Sequence, residues 1–214
     1  DRIVLSENLN QPNVAALIAP FGVSVARFFI NGVDTTTKGI DVVLRQRFNA
    51  GPGRLDLTAS ANFNDTEVTK LPSTDVLSSL NPPPVLFGRV NTLTFEEGTP
   101  DSKISVAGDW SQPLGSGDFG VTLKGTYYGD VTEPGVAANG SQDIDVGSHL
   151  LVDLELRARL GFGLGFAIGV DNLLDEYPNE VPAALNPQAA LGFSRYSPFG
   201  FNGRFYYGRM SFSW

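Results

Sequence analysis

Four groups of residues in this chain have types and spacings from which chemistry could be built, and none completes a mechanism. Gly161, Gly163 and Gly165 are spaced as glycines of a dinucleotide loop can be. Such a loop must open a helix, whereas here Leu164, Phe166, Ile168 and Val170 alternate with small or polar residues, as a strand does. The glycines are better read as a tight turn running into that strand. His149 is the single histidine, and with no cysteine in the chain there is neither a thiol nucleophile nor a cysteine-based zinc site to pair with it. No serine arrangement accompanies it either, so His149 is expected to be a solvated residue at a loop-to-strand junction. Asp130, Asp143 and Asp145 are close enough in sequence to suggest calcium, but they lack the glycine and terminal glutamate of a known calcium loop. Asp153, Glu155, Arg157 and Arg159 offer acids and bases at every second position. That spacing puts all four on one side of a strand, where a ladder of cross-strand ion pairs is the simpler account. No catalytic residue, metal or cofactor is assigned, and the chain is not expected to be an enzyme.

The elements that carry these residues are strands of one kind. Between 150 and 160 the even positions are Leu150, Val152, Leu154, Leu156, Ala158 and Leu160, and every charge is odd. Phe119, Val121, Leu123 and Tyr127 oppose Thr122, Lys124 and Thr126; Ile104, Val106 and Trp110 oppose Lys103, Ser105 and Asp109. Leu55, Leu57, Ala59, Ala61 and Phe63 oppose Asp56, Thr58, Ser60 and Asn62, and Ile40, Val42, Leu44 and Phe48 oppose Asp41, Arg45 and Arg47. At the end of the chain Tyr206, Met210, Phe212 and Trp214 share a face opposite Tyr207, Arg209, Ser211 and Ser213. Each run is close to the roughly 9 to 11 residues that a tilted strand needs to cross hydrocarbon. No apolar run is long enough for a membrane helix. The fold class is therefore all-β, an antiparallel transmembrane meander with an apolar face for lipid and a polar face for water.

The connections alternate too. Residues 49–53, 113–117 and 161–163 are short and rich in Gly and Pro, while 65–100, 131–147 and 174–202 are long. Outer-membrane barrels have short periplasmic turns and long extracellular loops, which puts the C-terminus in the periplasm. In that orientation Phe48, Trp110, Phe119 and Trp214 form a periplasmic aromatic girdle, and Phe63, Tyr127 and Tyr206 an outer one. Residues 26–48 read either as one long strand rising above the membrane or as a hairpin turning at 32–35, and Asp1 to Ser6 as the outer end of a preceding strand. The proline-rich 81–85 stiffens a loop. A net charge of −8 with dispersed charges and no basic cluster argues against nucleic acid. Asp1 follows no basic and apolar leader, so the chain reads as a mature protein or a piece of a longer one.

Three segments carry a family resemblance. Residues 168–177, Ile-Gly-Val-Asp-Asn-Leu-Leu-Asp-Glu-Tyr, resemble the V-x-N-L-F-D-x-x-Y segment of TonB-dependent outer-membrane receptors. Residues 27–43 are similar to their N-x-G-x-A-x-x-x-G-V-E strand, and 100–106 to the strand that begins P-x-x-K. The terminal strand resembles the C-terminal signature that the barrel assembly machinery recognises. Leu174 stands where Phe is usual, and Trp214 where Phe usually closes the barrel. The resemblance implies a C-terminal section, about seven strands and a stub, of a 22-stranded barrel, without the family's plug domain or energy-coupling box in residues 1–214.

What this implies for function is active uptake of a scarce nutrient, such as an iron chelate, cobalamin or an oligosaccharide, at the bacterial outer membrane. The implied partners are outer-membrane lipid, the assembly machinery, the TonB complex through an N-terminal region outside this chain, and a small-molecule ligand. A small stand-alone barrel with a structural or adhesive role is the alternative, since eight strands suffice for closure. Candidate ligand contacts are Tyr177, Phe193, Arg195, Tyr196, Phe199 and Phe201 in the last long loop, aromatics with a few polar groups. The competing reading is that these rings pack against neighbouring loops or lie at the lipid boundary. Arg45, Arg47, Lys103, Lys124, Asp153, Glu155, Arg157, Arg159 and Arg209 are expected to face the lumen. Tyr206, Met210, Phe212 and Trp214 are expected to form the assembly signal.

Overall fold

A computed structural model describes residues 2–3, 16, 19–22, 29–30, 32–71, 78–79, 81, 83, 85–186 and 192–213. The described strands are β1 (Arg2–Ile3), β2 (Phe29–Ile30), β3 (Asp34–Ala50), β4 (Gly53–Lys70), β5 (Ser102–Leu114), β6 (Gly117–Tyr128), β7 (Thr132–Glu133), β8 (Ile144–Asp145), β9 (His149–Arg159), β10 (Leu164–Asp171) and β11 (Phe205–Phe212). Seven of them make one antiparallel sheet in the order β11-β10-β9-β6-β5-β4-β3. The small β7–β8 hairpin lies inside a long connection, so the large sheet is an unbroken meander. Gly51 and Gly115 sit in the tight turns at φ of 60°, a left-handed conformation that a side chain would strain.

Register fixes the two faces. Leu44, Ala59, Val106, Gly125 and Val152 are successive cross-strand partners, and so are Leu57, Gly108, Leu123, Leu154, Val170 and Tyr206. Two residues along each strand the apolar partners recur, so the sheet presents one continuous apolar face. One step out of phase, Arg47, Asp56, Asp109, Thr122, Glu155, Gly169 and Tyr207 follow each other across the sheet. A soluble domain buries its apolar face beneath a second layer. Here nothing among the described residues covers it: Leu44 is 62 % exposed, Ile168 62 % and Met210 72 %. That face suits hydrocarbon and not water.

Among the described residues the sheet does not close on itself: β3 and β11 are its two edges and share no ladder, as in a section of a barrel. Backbone groups along such edges have no water to bond in hydrocarbon and need partners there.

Three expectations need correction. The described part of 26–48 is neither one unbroken strand nor a hairpin turning at 32–35. The long strand starts at Asp34, Gly32 and Val33 are irregular, and Phe29–Ile30 pairs with Arg2–Ile3 and not with β3. A register shift between Asp34 and Thr35 marks where regular pairing of β3 with β4 ends. β4 runs to Lys70, past the expected loop start at Asp65, because Thr66, Glu67 and Val68 continue the ladder with Thr37, Thr36 and Thr35 opposite. The connection after it also holds a helix, α1 (Arg89–Glu96), where only irregular chain was expected. Trp214, residues 23–28, most of residues 1–6 and part of the proline-rich 81–85 lie outside the described residues.

Candidate functional site

The polar face is a network of charged side chains that lie flat across the sheet. Arg157 reaches from β9 over Gly120 of β6 to Asp109 on β5, bonding Asp109 at 2.6 Å and Thr122 at 2.7 Å. A Cβ on Gly120 would stand 2.8 Å from the Arg157 guanidinium carbon, so only glycine leaves that path open without a shift. Tyr207 repeats the device, crossing Gly169 to donate to Glu155 at 3.0 Å, and Arg209 meets the same carboxylate at 3.2 Å across buried Ala167. Lys124 bonds Asp153 at 3.1 Å, Arg47 and Arg54 converge on Asp56, and Arg159 stands 3.7 Å from Asp118. These pairs are partly to largely exposed, so each alone adds little to stability. Arg45, Arg47, Lys103, Lys124, Asp153, Glu155, Arg157, Arg159 and Arg209 all take register positions on this one face.

At the other end of the strands three long connections, 71–101, 129–148 and 172–204, are tied to one another pairwise. Arg89 of α1 forms a two-pronged ion pair with Asp143 and also donates to the Gly135 carbonyl, joining the first connection to the second. The Arg89 guanidinium, helped by the Gly135 amide, holds the Asp143 carboxyl below the usual carboxylate range, and the same bond raises Arg89. Tyr196 Oη lies 3.3 Å from Thr94 Oγ1, joining the first to the third. Glu133 accepts from Ser194 Oγ at 2.6 Å and pairs with Arg195 at 3.3 Å, joining the second to the third. Val131, Val146 and Ser194 are almost fully buried at this junction.

The third connection begins with a clamp. Asn172 has φ of 53°, and its side chain donates to the Glu176 carbonyl at 2.7 Å and accepts from the Glu176 amide at 2.9 Å. Asp175, also left-handed, accepts the Arg204 amide at 2.8 Å and so fastens the start of the loop to its end. Asn and Asp are the non-glycine residues best suited to that conformation. Tyr177 then lies against Gly203, where a Cβ would meet its hydroxyl. The residues that carry the sequence resemblance are thus those that shape this turn.

The six candidate ligand contacts separate into three places. Tyr177, Phe193 and Phe201 form a ladder of stacked rings, with centroids 5.5 and 6.2 Å apart and planes within 18° and 22° of parallel. Phe199 packs against His149 and Tyr128. Arg195 and Tyr196 are engaged by Glu133 and Thr94. Five of them meet residues of the long connections, and Phe199 meets the ends of β6 and β9. His149 departs from expectation: it is 8 % exposed, not solvated, and both ring nitrogens are bonded. The Val146 carbonyl is three residues away, but Glu176 and Phe199, which cover the ring, are far along the chain, so no local pattern signalled its burial. Asp143 is occupied by Arg89, and Asp145 accepts the Gly147 amide. Among the described residues no group of three or more His, Cys, Asp or Glu is placed to hold a metal.

Residues 1–173 match the family model described as TonB dependent receptor-like, beta-barrel, and the chain belongs to that family. No curated protein and no solved structure matches the chain. The family places the chain in the outer membrane of Gram-negative bacteria, in a receptor and transport role, with lipid against the barrel and TonB as the family's partner. Its members are receptors and transporters rather than enzymes.

Proposed function

We propose that this chain forms the C-terminal wall of a receptor that takes up a scarce nutrient, an iron chelate, cobalamin or oligosaccharide, with energy delivered through TonB. The observation that carries the reading is the register: seven consecutive strands keep one apolar and one charged face while the sheet stays open. The charged face lines the lumen, and the interlocked connections form part of the external surface where ligand is captured. Within that surface the Tyr177, Phe193 and Phe201 ladder is the aromatic candidate for ligand contact, since Tyr177 and Phe201 stay 40 % and 37 % exposed. Tyr206, Met210 and Phe212, with Trp214 beyond them, present the strand that the assembly machinery reads.

The test is growth of cells that depend on the complete receptor, with ferric siderophore, cobalamin or maltodextrin as the limiting nutrient in turn. Loss of the receptor is expected to abolish growth on one of the three, and loss of TonB to abolish it equally. Growth that depends on the receptor but not on TonB would overturn the energised-uptake reading.

A further inference from the structure

The hydrogen-bond arithmetic around the single histidine points to a proton-dependent device. His149 Nε2 lies 2.8 Å from the Val146 carbonyl oxygen, and Nδ1 lies 2.8 Å from Glu176 Oε1. A carbonyl oxygen only accepts, so Nε2 must carry a hydrogen. A neutral ring with its hydrogen on Nε2 offers a lone pair at Nδ1, and an ionised carboxylate opposite it is repelled. The observed pair is satisfied only when it holds one proton more than neutral imidazole plus carboxylate, on Nδ1 or on Glu176. The ring is 8 % exposed and set edge-on to Phe199 at 5.3 Å, so water has little access to replace a lost partner.

We propose that His149 and Glu176 form a proton-held latch between the second and third long connections. Other charged or titratable groups around the ring are already engaged. Asp145 of β8 accepts the Gly147 amide at 2.8 Å, Tyr128 of β6 faces the ring through Phe199, and Lys103 of β5 sits over the Tyr128 ring at 4.9 Å. Asp153 of β9 itself is held by Lys124 and the Asn172 amide. Glu176 is therefore the carboxylate that answers to the ring. On deprotonation the shared proton leaves to water by way of Glu176, whose side chain is 39 % exposed, and the ionised carboxylate, now facing the Nδ1 lone pair, turns to solvent. The bond from the Asn179 amide to the Val146 carbonyl at 3.1 Å and the Asn172 clamp remain, so the two connections keep one backbone tie and lose the one through the ring. Histidine is the side chain whose charge ordinarily changes between about pH 5 and pH 8. The coupling of the loops then follows the acidity of the medium outside the cell.

Residues 1–214 have no cysteine, so spin labels can be placed at Val136→Cys and Leu174→Cys, both exposed, in the membrane-inserted receptor with any cysteine elsewhere in it replaced. The label-to-label distance distribution is expected to be narrow at about pH 5.5 and clearly broader at about pH 8.5. His149→Gln and Glu176→Gln should each give the same distribution at both values. An unmodified background whose distribution ignores pH overturns the proposal, as does His149→Gln with the pH response intact. Should the variants fail to insert, nitrogen spectra of the labelled histidine decide. Two protonated ring nitrogens at the acidic value, or one with a protonated Glu176 seen by carboxyl-labelled spectroscopy, uphold the latch; a single protonated nitrogen with an ionised Glu176 at that value overturns it.

Discussion

Gly120 and Asn172 show how single residues set this surface, one by having no side chain and the other by using its side chain on the backbone. A methyl group on Gly120 would collide with the Arg157 guanidinium, which must then leave Asp109 or the strands must part. Gly120→Ala is expected to destabilise the inserted protein by about 1 kcal/mol, the scale of a partly exposed ion pair with its hydrogen bonds. The same change in an Arg157→Ala background is expected to be neutral or slightly stabilising, because alanine suits a strand better than glycine. Urea unfolding in lipid vesicles measures both. Asn172 is 6 % exposed, so Asn172→Ala leaves the Glu176 amide and carbonyl without their partners, at about 1 to 3 kcal/mol for each unsatisfied group, and strains a left-handed residue. Asn172→Gly relieves the strain but not the lost bonds and should be intermediate. Protease sensitivity of segment 192–204 reads the difference. That Asn172 mattered was legible from its place in a familiar motif. How it matters was not, because a clamp on a residue four positions along depends on backbone conformation.

Among the elements, the strands were legible and the loops were not, for one physical reason. A strand in this sheet has a lipid side and a water side, so each residue type reports its own environment, and period-2 runs such as 150–160 identify themselves. The connections are held by pairs such as Arg89 with Asp143, 54 residues apart, and Thr94 with Tyr196, 102 residues apart, whose meeting no local pattern announces. α1 escaped notice because its apolar residues, Val90, Leu93 and Phe95, span barely two turns. The Arg89 tie has a definite pH dependence. Asp143 is held below the ordinary carboxylate range, near about 3.9, so its contribution is complete above that range and is lost as pH falls through the lowered folded value. Amide protection in segment 132–145, taken relative to the intrinsic exchange rate at each pH, is expected to be the same at pH 7 and pH 5 and to fall only well below about pH 4. In Asp143→Asn it should already be low at neutral pH.

For the whole molecule the decisive feature is that a sheet with no interior can be stable when lipid covers one face. The aromatic rims fit this: Trp110 donates to the Ala50 carbonyl at 3.0 Å and meets Phe119 edge-on, while Phe63, Tyr127 and Tyr206 stand exposed toward the other rim. Assembly should depend on the final strand in the same register. Replacing Trp214 by a charged residue is expected to lower outer-membrane yield far more than an equivalent change at Ser213, and equal yields would remove the basis for reading that strand as a signal. The most direct test of the two-faced sheet is a spin-label scan along β9 in outer-membrane vesicles, reading collisions with oxygen, which concentrates in lipid, against a water-soluble nickel complex. Positions 150, 152, 154, 156 and 158 should favour oxygen, and 151, 153, 155 and 157 nickel, in strict alternation. Equal lipid exposure at Leu154, Glu155 and Arg157 would contradict the account.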